Sequence, residues 1–274
     1  MKYIKLGFPR CLVLMAAVCV ATLAAKGQSS ATGSINLNSL SVNPATGNIV
    51  WTGWTLNALA TTLNSDGAFS QNFDFGESNP GTATAPASVP YAISSVSATA
   101  ISMDNSSISG QASGAVSIPG GINESASVSG GYGNYASLDN SFTLSQSTQV
   151  TFNLGISATQ GLTTDAGGQV LEDEVVANLN VNGNPLLFYD NNLTLGPDGT
   201  LNTGTVTPTL NGSLNLAAGT YDLYIELDDE QQVLETTPEP AEVHILMVFT
   251  IGLGLQLGWR RMAARKLRGA GRSI

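Results

Sequence analysis

Apolar and polar residues alternate with a period of two through most of the chain between Ile35 and Leu227. The alternation is clearest in residues 150–158, 175–181 and 221–227, where every second residue is apolar. Successive side chains of a strand point to opposite faces of its sheet, so this period predicts strands with one buried face. No part of this region shows sustained helical periodicity, and we therefore expect an all-β domain.

Turn residues separate the predicted strands, as in residues 79–81, 119–121, 182–185 and 196–199, which are rich in Gly, Pro and Asn. Many short alternating strands divided by such turns are typical of an antiparallel β-sandwich. We predict one β-sandwich over residues 28–228, with about ten or more strands. Within it, the stretch 94–133 is rich in Ser, Gly and Ala, and fits either flat strands or mobile loops.

The N-terminus has the organisation of a secretory signal peptide. A basic segment, residues 1–10, precedes an apolar segment, residues 12–25, that is too short to cross a bilayer comfortably. Ala25 and Gly27 are small residues at the positions that precede a cut before Gln28. Residues 1–27 are therefore predicted to be a signal helix that signal peptidase removes. A retained N-terminal anchor is the alternative.

A second apolar segment, residues 243–259, lies near the C-terminus. As a helix it would be about 26 Å long, enough for the hydrocarbon core of a bilayer. A basic tail, residues 260–274, follows it and begins with Arg260 and Arg261, so the positive-inside rule places the tail in the cytoplasm. We predict a single transmembrane helix with the β domain outside. Residues 229–242 are predicted to be an acidic, solvated linker.

The linker contains a short motif, Pro238-Glu239-Pro240, just before the apolar segment and the Arg-rich end. This order of elements at the C-terminus resembles the PEP-CTERM sorting signal. The two prolines hold the backbone of the tripeptide extended, so a protease could reach it. By this resemblance, Pro238, Glu239 and Pro240 match the recognition tripeptide, and Arg260 and Arg261 match the basic stop.

The resemblance implies that an exosortase, a membrane-embedded cysteine protease or transpeptidase, recognises the signal. It also implies release of the protein to the cell surface or extracellular matrix, in bacteria that often make exopolysaccharide. The basic tail here is longer than a compact Arg cluster, and the apolar segment includes His244 and Gln256. A permanent single-pass anchor beside an accidental Pro-Glu-Pro is the alternative.

Charge is distributed unevenly along the chain. All ten basic residues lie at the two ends, and no Lys or Arg occurs from Gly27 to Trp259. All twenty acidic residues lie between Asp66 and Glu242, so that central part has a formal charge of −20. Such a field repels phosphate backbones, which excludes nucleic acid as a partner.

The predicted β domain lacks the side chains that most catalytic sites need. It contains no His, Lys or Cys, since the two cysteines are Cys11 and Cys19, and this excludes activated nucleophiles and zinc. Carboxylate pairs remain, in residues 172–174 and 228–230, but both runs fit hydrophilic loops better than a glycosidase site. We predict no catalytic residues and no enzymatic activity.

We predict no required cofactor. Calcium is the cation that would suit the domain, because loop carboxylates and amides are its preferred ligands. The candidate ligands are Asp190, Asp198, Asp228 and Asp229, although no EF-hand spacing surrounds them.

Sugar binding would need exposed aromatic rings, which Trp51 and Trp54 could supply beside Tyr132 and Tyr135. Three residues apart on a strand, the tryptophans would face opposite ways unless a bulge at Gly53 realigned them, and a core or edge position is the simpler interpretation. We therefore expect a structural or adhesive protein of the cell surface or extracellular matrix. The alternative is a carbohydrate-binding module with extracellular polysaccharide as its partner.

Overall fold

The computed structural model describes most of the region between the two predicted processing sites, namely residues 28–76, 80–104, 107–120, 122–129, 131–164, 168–196 and 199–235. Every regular element in these ranges is a β-strand. In chain order the strands are β1 Gln28–Pro44, β2 Ile49–Trp51, β3 Thr55–Asn64, β4 Phe69–Gly76, β5 Gly81–Val89, β6 Ala92–Ala100, β7 Ile108–Pro119, β8 Glu124–Val128, β9 Tyr135–Leu144, β10 Thr148–Thr164, β11 Gly168–Val181, β12 Asn184–Leu195, β13 Gly199–Val206, β14 Thr209–Leu216 and β15 Gly219–Glu235.

The described strands form two antiparallel sheets. The first has the order β13-β10-β1-β7-β6-β5, and β13 and β14 pair with successive halves of β10. The second has the order β12-β11-β15-β8-β3. β9 also lies between β15 and β3 and pairs with both, along a different part of their length from β8. β2 extends this sheet beside β9, and β4 pairs with β3 at the edge. The arrangement is consistent with the predicted β-sandwich.

Alternation of apolar and polar residues explains the packing. The inward residues of β10, from Val150 to Ala158, and those of β11, from Val175 to Val181, are buried as the pattern predicted. With the inward residues of β1, β3 and β15 they form the main hydrophobic core. The strands predicted at 150–158, 175–181 and 221–227 are therefore confirmed, and the fold of the domain is all-β.

One predicted turn shows how local chemistry sets the register. Asn182 and Gly183, between β11 and β12, both have positive φ, 47° and 72°. Two central residues with positive φ are typical of a type I′ turn, whose twist matches that of the strands it joins. The β11–β12 ladder then continues from Val181 opposite Asn184.

The prediction of a solvated linker from residue 229 is wrong for its first part. β15 continues to Glu235, paired with β11 on one side and with β8 on the other. Asp229 and Val233 on this extension are fully buried. The acidic residues suggested exposure to solvent. In the structure, however, the alternation that buries Leu223, Ile225 and Leu227 continues through this acidic segment.

The remainder of the predicted organisation lies outside the described residues. This applies to the signal peptide 1–27, the rest of the linker 236–242, the apolar segment 243–259 and the basic tail 260–274. Among the residues that are described, no helix has the length and apolar character needed to cross a membrane.

Candidate functional site

A layer of polar residues divides the buried interior of the domain. On β15, Leu227 belongs to the main core and Val233 to a second, smaller core. Between them the inward positions are Asp229 and Gln231, which are 0% and 1% exposed. A carboxyl group and an amide thus replace apolar side chains at one level of the strand.

Four other strands are interrupted at the same level. On β11, Asp173 lies between Val170 and Val175, and on β10, Gln160 lies between Leu162 and Ala158. β1 and β7 carry glycines there. We define the interior polar band as Gly33, Gly114, Gln160, Asp173, Asp229 and Gln231.

Strand pairing brings these residues together. Gly33 lies opposite both Gly114 and Gln160 in the first sheet, and Asp173 lies opposite Gln231 in the second. A Cβ atom on Gly33 would overlap Asp229 Oδ1 and Gln231 Nε2, and would lie 3.0 Å from Asp173 Oδ1. The two carboxyl groups therefore meet above a glycine of the opposing sheet, where only the missing side chain leaves room for them.

Hydrogen bonds satisfy part of the band. Gln231 Nε2 donates to Asp229 Oδ1 at 2.7 Å, and Asn134 Nδ2 donates to the backbone carbonyl of Asp229 at 2.8 Å. Gln160 Nε2 donates to the backbone carbonyls of Asp173 and Asn191, at 2.5 and 3.1 Å. Three buried acceptors have no hydrogen-bond partner among the described residues: Oδ1 and Oδ2 of Asp173, and Oε1 of Gln231.

Burial dominates the electrostatics of the two carboxyl groups. It raises the pKa of Asp173 to about 7, against the opposing effect of the nearby Gln160 and Gln231 amides, neither of which makes a well-formed hydrogen bond to the carboxylate. Burial also raises the pKa of Asp229 well above its ordinary value; Gln231 lowers it, and the charges of Asp173, Asp228 and Glu230 raise it further. Residues 28–243 contain no Lys, Arg or His that could compensate these charges.

A second acidic group lies on the outer face of the same two strands. A β-bulge between Val170 and Glu172 places Glu172 and Glu174 on that face, beside Glu230 of β15. One carboxylate oxygen from each of the three lies within 4.8 Å of the others. Burial, with the charges of Asp190 and Glu172, raises the pKa of Glu174 to about 7. We call these three residues the outer acidic cluster.

Of the three predicted calcium ligands that the structure describes, two lie on one face of the sheet and the third on the other. Asp190, on β12, interacts with Glu174 beside the outer acidic cluster, and Asp228 lies on the same outer face of β15. Asp229 points the other way, into the interior polar band. Asp198 lies outside the described residues. The runs 172–174 and 228–230, predicted to be separate loops, are neighbouring strand segments, and that prediction is wrong because strand order joins them.

The two tryptophans proposed for sugar stacking contact each other. Their ring centroids are 6.1 Å apart at an interplanar angle of 24°, and Gly53 between them has a φ of 127°. Trp54 is 1% exposed, and its Nε1 donates to the backbone carbonyl of Asp104 at 2.9 Å. Trp51 packs against Phe142, with 5.5 Å between ring centroids. In this structure Trp54 is a core residue and offers no face to a sugar.

A different aromatic surface is exposed. Phe69, Phe73 and Phe75 lie on the outward face of the edge strand β4 and are 46–56% exposed. Tyr132, which is 59% exposed, contacts Phe69 edge-on with 5.2 Å between ring centroids. We call these four residues the aromatic stripe. The spacing of the phenylalanines, at every second or fourth residue, was the sequence signal that could have identified it.

Comparisons with family models, curated proteins and solved structures do not identify this chain. No family model matches it, and no curated protein matches it. Among solved structures, alignments with a 7S globulin from Momordica charantia, a mutant salicylate 1,2-dioxygenase from Pseudoaminobacter salicylatoxidans and a vicilin from Capsicum annuum have identities of 7%, 7% and 6%. They cover 76%, 73% and 74% of this chain and 72%, 70% and 74% of those chains, with TM-scores of 0.10, 0.11 and 0.09. Similarity this low supports no argument about fold or function.

Proposed function

We propose that this protein is exported and serves as a structural or adhesive component of the cell surface or extracellular matrix. The placement of the strands along the sequence is the observation that supports this most directly. All fifteen described strands lie between the predicted signal peptide, residues 1–27, and Pro238. Cleavage at both predicted sites would leave every described strand whole.

The proposed route to the surface uses both ends of the chain. Signal peptidase removes residues 1–27, and residues 243–259 hold the protein in the inner membrane with the β domain outside. An exosortase-like enzyme then recognises Pro238-Glu239-Pro240, while Arg260 and Arg261 keep the tail in the cytoplasm. The role of the chain in this step is that of a substrate, and we propose no catalytic activity for the β domain, which has no His, Lys or Cys.

The intact mass of the protein from the surface fraction of its native host tests this route. We expect a species that begins near Gln28 and ends near Pro238–Pro240. Intact mass is the right measurement because trypsin finds no site between Lys26 and Arg260. A mature protein that retains its sequence to Ile274 would overturn the sorting proposal and leave an anchored ectodomain.

Replacing the motif tests whether this tripeptide is required for cleavage. A chain with Pro238→Ala, Glu239→Ala and Pro240→Ala should stay membrane-bound and keep its C-terminal tail. The flanking double variant Thr236→Ala, Thr237→Ala is the matched control and should be processed normally. Equal release of both variants would show that the sorting enzyme does not recognise the tripeptide.

Carbohydrate binding is the second candidate function, and the aromatic stripe is the observation that favours it. Exposed rings in a row can stack on successive sugars, and β4 presents three of them on one face at a sheet edge. Extracellular polysaccharide of the host would be the ligand. This moves the predicted sugar site from Trp51 and Trp54 to β4.

Affinity for purified host polysaccharide, measured by titration calorimetry, tests this second candidate. The double variant Phe73→Ala, Phe75→Ala should weaken binding about tenfold or more. Phe188→Ala is the control, because Phe188 is 61% exposed on β12, at the opposite edge of the same sheet. Binding that both variants leave unchanged, or no binding by the unmodified protein, would exclude the stripe as a sugar site.

A further inference from the structure

We propose that the interior polar band is a calcium site, in which the carboxylates of Asp173 and Asp229 and the amide oxygen of Gln231 bind the ion. The proposal does not depend on the sorting or sugar-binding proposals. It is also distinct from the outer acidic cluster, which lies on the other face of the same strands.

The unpartnered acceptors are the first observation. Both carboxylate oxygens of Asp173 and Oε1 of Gln231 are buried, and in the described part of the chain none of them accepts a well-formed hydrogen bond, although the amides of Gln160 and Gln231 lie near Asp173. Burying a polar acceptor without a partner costs free energy, and native interiors rarely leave one unsatisfied. Here three of them occur on two residues that lie opposite each other in the β11–β15 ladder.

The absence of a compensating charge is the second observation. Two carboxylates buried side by side need a positive charge, and residues 28–243 supply no Lys, Arg or His. Asp228 and Glu230, the two neighbours of Asp229 in the sequence, add further negative charge on the other face of the strand. The local field therefore favours a bound cation.

The chemistry and shape of the band select the type of cation. Every ligand atom that it offers is an oxygen of a carboxylate or an amide, the set that calcium prefers. Ligands from two paired strands are held in fixed positions by the sheet, and the glycines of β1 and β7 open space on the opposing side. A Cβ on Gly114 would overlap Gln231 Oε1 and lie 2.9 Å from Asp229 Oδ2, whereas Asp229 Oδ1, Gln231 Nε2 and Asp173 Oδ1 face Gly33. Asp229 and Gln231 therefore approach both glycines, with different atoms at each.

Protonation is the competing explanation. If Asp173 were neutral, its hydroxyl could donate to Gln231 Oε1, and no metal would be needed. The two explanations differ in calcium dependence: a cation site gives stabilisation by calcium at neutral pH, while a protonated pair gives none.

The experiment is thermal unfolding of the full chain in detergent at neutral pH, with calcium chloride, with magnesium chloride and with a chelator. We expect calcium, at about a hundred times its Kd, to raise the Tm by about 5–10 °C over the chelated protein. Equilibrium dialysis should detect an ion that Asp173→Asn removes. The variant Glu172→Gln, Glu174→Gln, Glu230→Gln should retain that ion.

Two outcomes would overturn the proposal. One is a Tm that calcium leaves unchanged. The other is calcium binding that the outer triple variant abolishes and Asp173→Asn preserves. If Asp173→Asn does not fold, terbium bound to the unmodified protein decides the question. A band site predicts a luminescence lifetime that changes little between H₂O and D₂O, because a buried ion has few coordinated waters, whereas a strong solvent effect would assign the ion to the exposed cluster.

Discussion

Ser29 and Glu235 join the first described strand to the last. The hydroxyl of Ser29 donates to Oε2 of Glu235 at 2.5 Å, although the two residues are 206 positions apart. They are 0% and 1% exposed, so the bond lies inside the sandwich. The bond therefore holds the start of β1 beside the end of β15.

The first prediction concerns this bond. Ser29→Ala should lower the free energy of unfolding by about 1–3 kcal/mol, because it removes a buried hydrogen bond to a charged carboxylate. Chemical denaturation followed by circular dichroism measures the change. Ser213→Ala, at an exposed position of β14, is the control and should stay within about 0.5 kcal/mol of the unmodified protein. Equal values for the two variants would contradict a structural role for the bond.

The second prediction concerns the glycines of the interior polar band. Gly33→Ala should destabilise the fold by about 1–3 kcal/mol, because its Cβ would overlap Asp229 and Gln231 in a packed interior. Gly196→Ala is the matched control, since nothing lies within 4 Å of the Cβ it would introduce. Denaturation midpoints compare the two variants. Similar midpoints would mean that the band relaxes easily and does not hold its carboxyl groups in place.

The sequence predicted the strands well and the band poorly, for a physical reason. Period-two alternation reports the inward face of each strand, which is why residues 150–158 and 175–181 were placed correctly. The same inward phase runs from Leu227 through Asp229 and Gln231 to Val233, but charge at 228–230 suggested solvent. Residues 172–174 lie beside residues 228–230 because β11 pairs with β15. The alternation of apolar and polar residues gives no information about which strands pair.

The aromatic residues illustrate the same limit. The spacing of Trp51 and Trp54 suggested opposite faces, and the positive φ of Gly53 lets the two rings lie together. Trp51 also packs against Phe142 of β9, a contact between distant parts of the chain. By contrast, Phe73 and Phe75 on β4 share one face by simple alternation, and their exposure follows from an edge position that the sequence did not reveal.

The third prediction separates a core role for Trp54 from a binding role. Trp54→Ala should cost about 3–5 kcal/mol of unfolding free energy, because it empties a large buried volume and leaves the Asp104 carbonyl without its indole donor. Trp51→Ala, at a partly exposed ring, should cost less. Denaturation curves measure both. A Trp54→Ala variant of unchanged stability would contradict its place in the core.

The fourth prediction concerns pH. Burial, with the charges of Asp222 and Glu226, raises the pKa of Asp139 to about 6, above its ordinary 3.8. The folded protein therefore binds this proton more tightly than the unfolded chain does. The resulting cost to stability is complete above about pH 6, falls as pH decreases and vanishes below about pH 3.8.

In the presence of a chelator, the Tm should consequently increase as the pH is lowered from about 8 to about 5. Asp139→Asn should flatten part of that rise, because it removes one of the groups responsible. Asp66→Asn, at an exposed position between β3 and β4, should leave the profile unchanged. A profile that Asp139→Asn does not alter would show that the pKa of Asp139 is not raised in the folded protein.

The last prediction concerns where the folded domain ends. A chain that stops after Asp228 lacks Asp229, Gln231 and Val233. It also lacks one of the two partner strands of β8 and one of those of the first half of β11. It should fail to unfold cooperatively and should be digested rapidly by a nonspecific protease. A chain that stops after Glu235 keeps all these pairings and should unfold with nearly the Tm of the full domain. If the shorter chain were equally stable, residues 229–235 would be the dispensable linker that their charge first suggested, and cleavage well before Pro238 would be harmless.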